Sequence, residues 1–362
     1  KRFIDDKKTG AMPDSREGIY FIPAASEEES PEIVGQSHHY ETTALSAFVS
    51  ESIEMGSLTL RPGVRLEIFE QERVDRLAGS IYQDKTIFVA LPGIGFIKSF
   101  SGMSLFGGIH RGFTPPSSGA LKIVNFGMNI EENGLDLEAE QSWNKEIGVR
   151  GEFSILDYEL AGYHINIDNL VAAGRGTAFK NLGKVISQGL EFRALINLSS
   201  LIGLLPNIHI AYSFLDTEVI DGVIVSNVSG TYGSEVSIKG KKLPYSPQNT
   251  LTVGMESNLI ENISIRMDFR YVSRVYTDFE NITFTDNLGV IGPVPSYNLI
   301  NLSANYQISD TIQLFLSGKN ITDNIYIGSR LHSNPGQKNA NISSGIIPGA
   351  RRQINLGINY NF

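Results

Sequence analysis

Apolar and polar residues alternate strictly along several long segments of the chain. In residues 58–68 every even-numbered position is apolar or proline, and the positions between are Thr59, Arg61, Gly63, Arg65 and Glu67. Residues 263–271 and 353–362 repeat the pattern. A period of two residues predicts β-strands with one apolar and one polar face. Helical spacing is hard to find anywhere, so the pattern predicts an all-β protein.

The alternating segments are long for strands. A strand of about 11 residues, at about 3.3 Å per residue, extends roughly 36 Å. Tilted by about 40°, it rises roughly 28 Å, which is close to the apolar band of an outer-membrane barrel. Strands in soluble sandwiches are usually about half as long. Strand length therefore favours an antiparallel transmembrane β-barrel.

The pattern predicts about thirteen strands and sorts their connections by length. The strands are residues 40–54, 58–72, 88–99, 103–113, 140–153, 156–170, 183–198, 207–219, 244–257, 262–276, 297–308, 311–326 and 351–362. Short turns alternate with long loops, and the loops are residues 73–87, 114–139, 171–182, 220–243, 277–296 and 327–350. Short periplasmic turns opposite long outer loops are typical of outer-membrane barrels.

This alternation also predicts an orientation. The last strand, residues 351–362, follows a long loop, so the C-terminus is expected on the periplasmic side. Residues 1–39, acidic and rich in proline, are then expected to form an extracellular loop that leads into the barrel of residues 40–362. Because closed single-chain bacterial barrels have even strand numbers, an odd count predicts further strands, most simply on the N-terminal side.

Composition narrows the class of protein. Charged residues make up 19% of the 362 residues, and the mean hydropathy is near zero. No segment approaches 18 consecutive apolar residues, which excludes a helical membrane protein. A net charge of -9 argues against a nucleic-acid partner. With no cysteine, the chain has neither a disulfide scaffold nor a thiolate metal site.

No catalytic motif is present. The sequence contains no G-x-S-x-G, no H-E-x-x-H and no P-loop pattern, so neither an enzyme nor a cofactor is predicted. The pair His38 and His39 has two readings, a metal site or two residues of an interfacial loop. The loop reading is favoured, and no metal site is predicted.

Arginines recur on the polar faces of the strands. They are Arg61, Arg65, Arg266, Arg270, Arg274 and Arg351. One reading is a wall braced by salt bridges, because Glu67 and Asp268 share those faces. The other is a basic lumen for an anionic ligand, since a cleft of one charge sign concentrates the opposite charge. The pattern leaves both readings open.

Five short strings resemble the barrel of TonB-dependent receptors. Residues 141–150 resemble that family's E-x-S-x-x-x-E-x-G strand, and residues 187–192 resemble its x-x-G-x-E strand. Residues 245–247 look like its strand entry, and residues 318–326 look like its N-L-x-D-x-x-Y signature. The ending of residues 348–362 is similar to its last strand. Their order and spacing over most of the chain carry the resemblance.

The resemblance implies a barrel of about 22 strands with a plug inside it. It also implies an outer-membrane receptor that imports a ferric chelate with energy from TonB. Thr43–Glu67 and Leu243–Gly254 look most like the branch that imports ferric citrate. The chain departs from the pattern, because it shows only about thirteen strands and neither a plug nor a TonB box. Expected partners are the ferric chelate, the TonB complex through the missing plug, outer-membrane lipid and lipopolysaccharide, and the barrel assembly machinery.

The same reasoning nominates functional residues. The candidate ligand-binding residues near the outer mouth are Arg274, Arg351, His110 and Arg111. The expected lumen wall contains Arg61, Arg65, Arg266 and Arg270. The apolar stripe of the last strand ends at Tyr360 and Phe362, which resemble an assembly signal. Alternatives are a passive porin, TonB-dependent uptake of a non-iron nutrient, a secreted β-sandwich and an outer-membrane enzyme.

Overall fold

The computed structural model describes residues 2–8, 21–22, 33–34, 37–75, 80–115, 138–172, 180–226, 228, 230–231, 233–260, 262–331 and 345–360. Within these residues the chain is β-structure and loops, with one short 3-10 helix at Leu198–Ser200. No helix in this part of the chain is long and apolar enough to cross a membrane.

Twenty-two strands are described. They are β1 Arg2–Lys8, β2 Phe21–Ile22, β3 Ile33–Val34, β4 Ser37–Ser50, β5 Ile53–Met55, β6 Leu58–Asp75, β7 Ser80–Phe100, β8 Met103–Thr114, β9 Glu140–Phe153, β10 Leu156–Asp168, β11 Val171–Ala172, β12 Lys180–Asn181, β13 Gly183–Ile196, β14 Asn207–Val225, β15 Glu235–Ser237, β16 Asn249–Ile260, β17 Ile263–Val272, β18 Tyr297–Ser309, β19 Ile312–Lys319, β20 Ile327–Arg330, β21 Ile346–Pro348 and β22 Gln353–Tyr360.

The long strands form one continuous antiparallel sheet. Their order is β1-β4-β6-β7-β8-β9-β10-β13-β14-β16-β17-β18-β19-β22, so each long strand pairs with the next one along the chain. All thirteen predicted strands appear in this order, from β4 to β22. An up-and-down meander of this kind is the wall of an antiparallel barrel, because it satisfies backbone groups between neighbouring strands.

Residues 1–39 are only partly the loop that the sequence predicts. Arg2–Lys8 form β1, which pairs with β4 in a register that sets Arg2 opposite Thr43 and Lys8 opposite Ser37. The loop assignment is therefore corrected for these seven residues. With β1 the main sheet contains fourteen consecutive strands among the described residues, so the odd count from which further strands were predicted is wrong. The side of the membrane on which the segment lies stays a prediction.

Two predicted strands are too long because turns interrupt them. The strand predicted at 311–326 ends at Lys319, since Asn320 and Asp323 adopt positive φ values of 46° and 54°. The strand predicted at 244–257 begins only at Asn249, after Tyr245 has taken a φ of 53°. Strands cannot continue through this left-handed backbone region, which hydrophobic alternation does not reveal.

The alternation places apolar side chains on the outward face. In β22, Ile354, Leu356 and Ile358 are 65%, 76% and 68% exposed, and Leu45 and Phe88 are similarly open on β4 and β7. Apolar surface on this scale is unusual in a soluble monomer. The outward face has instead the character of a surface covered by lipid.

Turns and loops alternate between the two ends of the strands as predicted, but the predicted loop 73–87 is wrong, because β6 continues to Asp75 and β7 begins at Ser80. The predicted loop 220–243 is likewise shorter, since β14 continues to Val225. The short connections at one end are residues 51–57, 101–102, 154–155, 197–206, 261–262 and 310–311. The long connections, including 226–248 and 273–296, all lie at the other end of the strands. We refer to these as the short-turn end and the long-loop end.

A charged residue on the outward face of β22 tests whether that face contacts lipid. Leu356 lies in the middle of that strand, so Leu356→Arg should cost roughly 2–4 kcal/mol at mid-membrane and reduce the folded, heat-modifiable protein in outer membranes. Asn355→Arg places the same charge on the polar face and should be tolerated. Equal losses for the two variants would show that the faces are misassigned.

Tyr360 is outward and 55% exposed, whereas Phe362 lies outside the described residues, so their role in assembly stays a prediction.

Candidate functional site

Four glycines form a hollow in the polar, lumen-facing side of the wall. Gly63 lies opposite Gly93, and Gly95 lies opposite Gly108, so four positions without side chains adjoin one another across β6, β7 and β8. They line a cavity of about 700 Å³. A Cβ added at Gly93 would come within 2.8 Å of the Cβ of His110. On the lumen side of this glycine hollow the backbone itself is therefore the surface of the wall.

Cationic side chains border the glycine hollow. Arg61 is exposed and pairs with no carboxylate in the described part of the chain. Arg65 forms an ion pair with Glu67 on its own strand. His110 is exposed beside Gly93 in the register, and the Arg150 guanidinium lies 5.5 Å from the centre of the Phe106 ring. The hollow thus combines close access to the backbone with guanidinium groups that can reach a ligand.

The glutamates near the hollow limit how basic it is. Glu67 neutralises Arg65, and Glu146 is an exposed lumen-facing residue that also lines the cavity. Arg61 and Arg150 are the two guanidinium groups left without an ion pair in the described residues around it. The four glycines could not be nominated from a list of charged residues, although Gly63 alternates in phase with Arg61 and Arg65 in the sequence.

A second charged row lies on the strands that follow in the sheet. Arg150, Glu159 and Arg193 face one another across β9, β10 and β13, and the Arg193–Glu159 ion pair measures 3.3 Å. Arg266 is held by Asp268 at 2.8 Å and by Glu256 at 3.4 Å. A cavity of about 980 Å³ is lined by Arg150, Glu159, Arg193 and Arg266. For Arg266 the geometry is that of a braced wall.

Arg270 differs from Arg266. It is exposed on the lumen-facing side of β17, opposite Thr252 and Leu299 in the register. No ion-pair partner for it lies among the residues that the structure describes. The two arginines of one strand therefore illustrate both readings that the sequence left open.

Arg351 closes a turn at the long-loop end. Its Nε donates to Asp323 Oδ1 at 2.8 Å, its Nη2 pairs with Asp323 Oδ2, and the backbone N–H of Arg352 donates to Asp323 Oδ1 at 3.0 Å. The pKa of Asp323 is held well below its usual range, mainly by the Arg351 guanidinium and secondly by the backbone N–H of Arg352. Arg351 is thus engaged by its own turn.

The other candidates are separated from one another. The Arg274 guanidinium is exposed and lies 5.1 Å from the centre of the Tyr276 ring. Arg111 follows His110 in a regular strand, so it occupies the opposite face, where it donates to Gln141 Oε1. Arg274 follows β17, and Arg351 precedes β22. These two strands are three positions apart in the sheet, which is roughly 14 Å at about 4.8 Å per strand. Of the nominated residues, the structure brings together Arg61, Arg65 and His110.

Loops at the long-loop end are joined to one another by hydrogen bonds of Arg330. Arg330 is 3% exposed, and its guanidinium donates to the carbonyl oxygens of Gly289 and Pro293. Burial lowers the pKa of Arg330. Tyr245 Oη donates to the Arg330 carbonyl at 3.2 Å, while the Arg330 N–H donates to the same hydroxyl at 3.0 Å. No sequence motif marks Arg330, because its partners are backbone carbonyls of a distant loop.

The described residues contain no group of three or more histidine, cysteine, aspartate or glutamate side chains that could hold a metal ion. His39 lies 3.7 Å from Glu41. The side chain of His38 lies outside what the structure describes. The loop reading of the histidine pair stays a prediction.

The fold and its two faces define a class, the antiparallel β-barrel of an outer membrane. A family model described as "TonB dependent receptor-like, beta-barrel" matches residues 11–321. The chain therefore belongs to the TonB-dependent receptor family.

Known proteins show how far the likeness reaches. The Ferrioxamine B receptor of Salmonella typhimurium is 26% identical over 210 residues, which are 55% of this chain and 26% of the receptor. The ferric citrate transporter FecA has a TM-score of 0.69 at 21% identity, over 91% of this chain and 46% of FecA. The siderophore receptor PiuA from Acinetobacter baumannii has a TM-score of 0.70 at 18% identity, over 91% and 45%.

The chain spans about a quarter of the curated relative and just under half of the two solved structures. At these identities the solved structures show the fold alone. They do not specifically support the ferric-citrate branch that the sequence strings favour.

The turn closed by Arg351 can be tested by a double-mutant cycle. Asp323→Asn and Arg351→Gln should each lower the melting temperature of the barrel, and the double variant should fall little further, because both remove one interaction. The stabilisation by the Asp323–Arg351 pair should be fully present above about pH 3.9, the pKa of aspartate in the unfolded state. It should be lost as the pH falls below that value. Arg352→Gln, which keeps the backbone N–H, is the control. Additive losses would contradict the ion pair.

Proposed function

We propose that the complete receptor takes up a ferric chelate across the outer membrane of a Gram-negative bacterium, with energy supplied by TonB. The family match supports this function, as do the names of similar proteins: a ferrioxamine B receptor, a ferric citrate transporter and a siderophore receptor. The chain is not an enzyme in this proposal. Its partners are the chelate, the TonB complex through a plug, outer-membrane lipid and lipopolysaccharide, and the assembly machinery.

The observation that carries the proposal is the border of the glycine hollow. Among the described residues Arg61 has no ion-pair partner, and it presents its guanidinium to the lumen beside backbone that a ligand can approach closely. A guanidinium donates paired, charge-assisted hydrogen bonds to carboxylates and similar anions. Low-dielectric walls concentrate an anion in such a cleft. An anionic ferric chelate fits this chemistry.

Arg274 is the better of the two arginines nominated near the long-loop end. It is exposed and its ring contact with Tyr276 leaves its donors available, whereas Arg351 is engaged by Asp323. We therefore assign first contact with the chelate to Arg274, and passage along the wall to Arg61 and His110. Arg351 braces the turn, and Arg111 faces outward.

A non-iron cargo remains the second candidate. The copper transporter OprC has the same fold, with a TM-score of 0.64 at 14% identity over 92% of this chain. A metal ion without a chelator would need ligand side chains, and the described residues contain no such cluster. The anionic chelate is favoured by the names of the relatives, a ferrioxamine B receptor and a siderophore receptor among them. The passive porin alternative is disfavoured by the family match.

We also propose that the long loops are extracellular and that the C-terminus is periplasmic. Single cysteines at Lys239 and Asn287, both exposed at the long-loop end, should react with an impermeant thiol reagent on intact cells. Cysteines at Ser57 and Asp310, exposed at the short-turn end, should react only after the cells are opened. The reverse pattern would invert the orientation.

Binding measurements on the complete receptor test the cargo. Each charge-assisted bond is worth roughly 1.5–3 kcal/mol, and one decade of affinity is about 1.4 kcal/mol, so Arg61→Gln or Arg274→Gln should weaken ferric-chelate binding about ten- to a hundredfold. Their melting temperatures should stay close to that of the unmodified receptor.

Arg351→Gln is the matched control for these variants. It should leave the affinity unchanged and lower the melting temperature, because it removes the partner of Asp323. If Arg61→Gln and Arg274→Gln both bind the chelate normally, neither residue belongs to the ligand path.

A further inference from the structure

The turn between β13 and β14 is unusually apolar. Residues 197–206 contain no charged residue, and Leu201, Ile202, Leu204 and Leu205 are 63%, 60%, 64% and 36% exposed. Other turns at the short-turn end present polar residues such as Ser57 and Asp310. Four adjacent exposed large apolar residues mark a surface that contacts something other than water.

A hydrogen bond fixes the side of the wall on which this turn lies. Ser257 occupies the outward face of β16, two residues beyond Met255, which faces Ile208 in the register. The Ser257 hydroxyl donates to the carbonyl oxygen of Leu204 at 3.1 Å. The leucine-rich part of the turn is therefore held beside the outward face, next to the apolar band.

The height of the band leaves room for the turn. On β14 the outward residues Ile208, Ile210, Tyr212 and Phe214 precede Asp216, the first outward charge. Eight residues at about 3.3 Å, tilted by about 40°, rise roughly 20 Å. The apolar band of such barrels is about 25 Å tall. The strand alone falls short by roughly 5 Å, at the end where the turn begins.

We propose that residues 201–205 are a lipid anchor, inserted at the boundary between acyl chains and headgroups of the leaflet at the short-turn end. In this position the four apolar side chains complete the band beneath β14. A hydroxyl in hydrocarbon needs a partner, and the Leu204 carbonyl supplies one for Ser257. The inference rests on the membrane location proposed above and is independent of the cargo.

Lipid fits this surface better than a protein partner. The turn continues the outward row of Phe153, Leu156, Ile196 and Ile208, whose members pair in register across four strands. Phe153 is itself 75% exposed on the same face. A surface without charges that is continuous with the lipid-facing band has the character of an interfacial segment, where apolar residues lie in the headgroup boundary.

Fluorescence quenching locates the turn. The chain has no cysteine, so Leu204→Cys can carry a single environment-sensitive thiol dye once any cysteines elsewhere in the receptor have been replaced. In vesicles of phospholipids brominated near the headgroup, the dye should be quenched several-fold more than the same dye at Asp310→Cys. Iodide in the water should quench the Asp310→Cys dye more strongly.

Met255→Cys serves as the internal standard on the lipid-facing band. If it is quenched by brominated lipid and Leu204→Cys is not, the barrel is in the membrane but the anchor is wrong. Shielding of Leu204→Cys from both quenchers would indicate a protein contact and also overturn the proposal. If brominated lipid does not quench the dye at Met255→Cys, the proposed membrane location of the barrel is itself wrong.

Ser257→Ala supplies a second test that leaves the turn sequence intact. It removes the hydroxyl that holds the Leu204 carbonyl. The Leu204→Cys dye should then lose part of its quenching by lipid and gain quenching by iodide. Unchanged quenching by both agents would show that the hydrogen bond does not position the turn.

Discussion

Backbone hydrogen bonding within the wall is the constraint on which the rest of this structure depends. In hydrocarbon there is no water to satisfy an N–H or C=O group, and each unsatisfied group costs several kcal/mol. The antiparallel order from β4 to β22 answers this constraint by pairing each long strand with its neighbours. Once the backbone is satisfied between strands, the side chains are free to differ completely on the two faces.

The two faces of the wall carry different kinds of side chain. Outward residues such as Leu356 remain apolar and exposed, whereas lumen-facing residues such as Arg61 and Arg266 carry charge. Charges on the lumen side serve two purposes. Arg266 is paired and braces the wall, while Arg61 borders a hollow made by glycines and is available to a ligand. The family membership, and the guanidinium groups without an ion pair in the described residues, are the grounds on which we propose the uptake of an anionic chelate.

Sequence alternation predicts this fold well because a period of two residues is a direct consequence of strand geometry. It places Arg61 and Arg266 on one face without any structure. It does not distinguish them, because the ion pairs of Arg266 depend on Glu256 of a neighbouring strand and on the register between the strands. Register and turn conformation also explain the misplaced ends near Asn320 and the engagement of Arg351 by Asp323.

The most direct test of the central claim is an accessibility scan of β17, Ile263–Val272, with one spin label at a time in membranes. Oxygen dissolves in lipid, and a polar nickel chelate stays in water. Two faces predict that odd positions from Ile263 to Tyr271 are accessible to oxygen, and that even positions from Ser264 to Val272 are not. The nickel chelate should show no access on the odd positions. A scan without a two-residue period, or with nickel access on the odd positions, would contradict a lipid-facing wall.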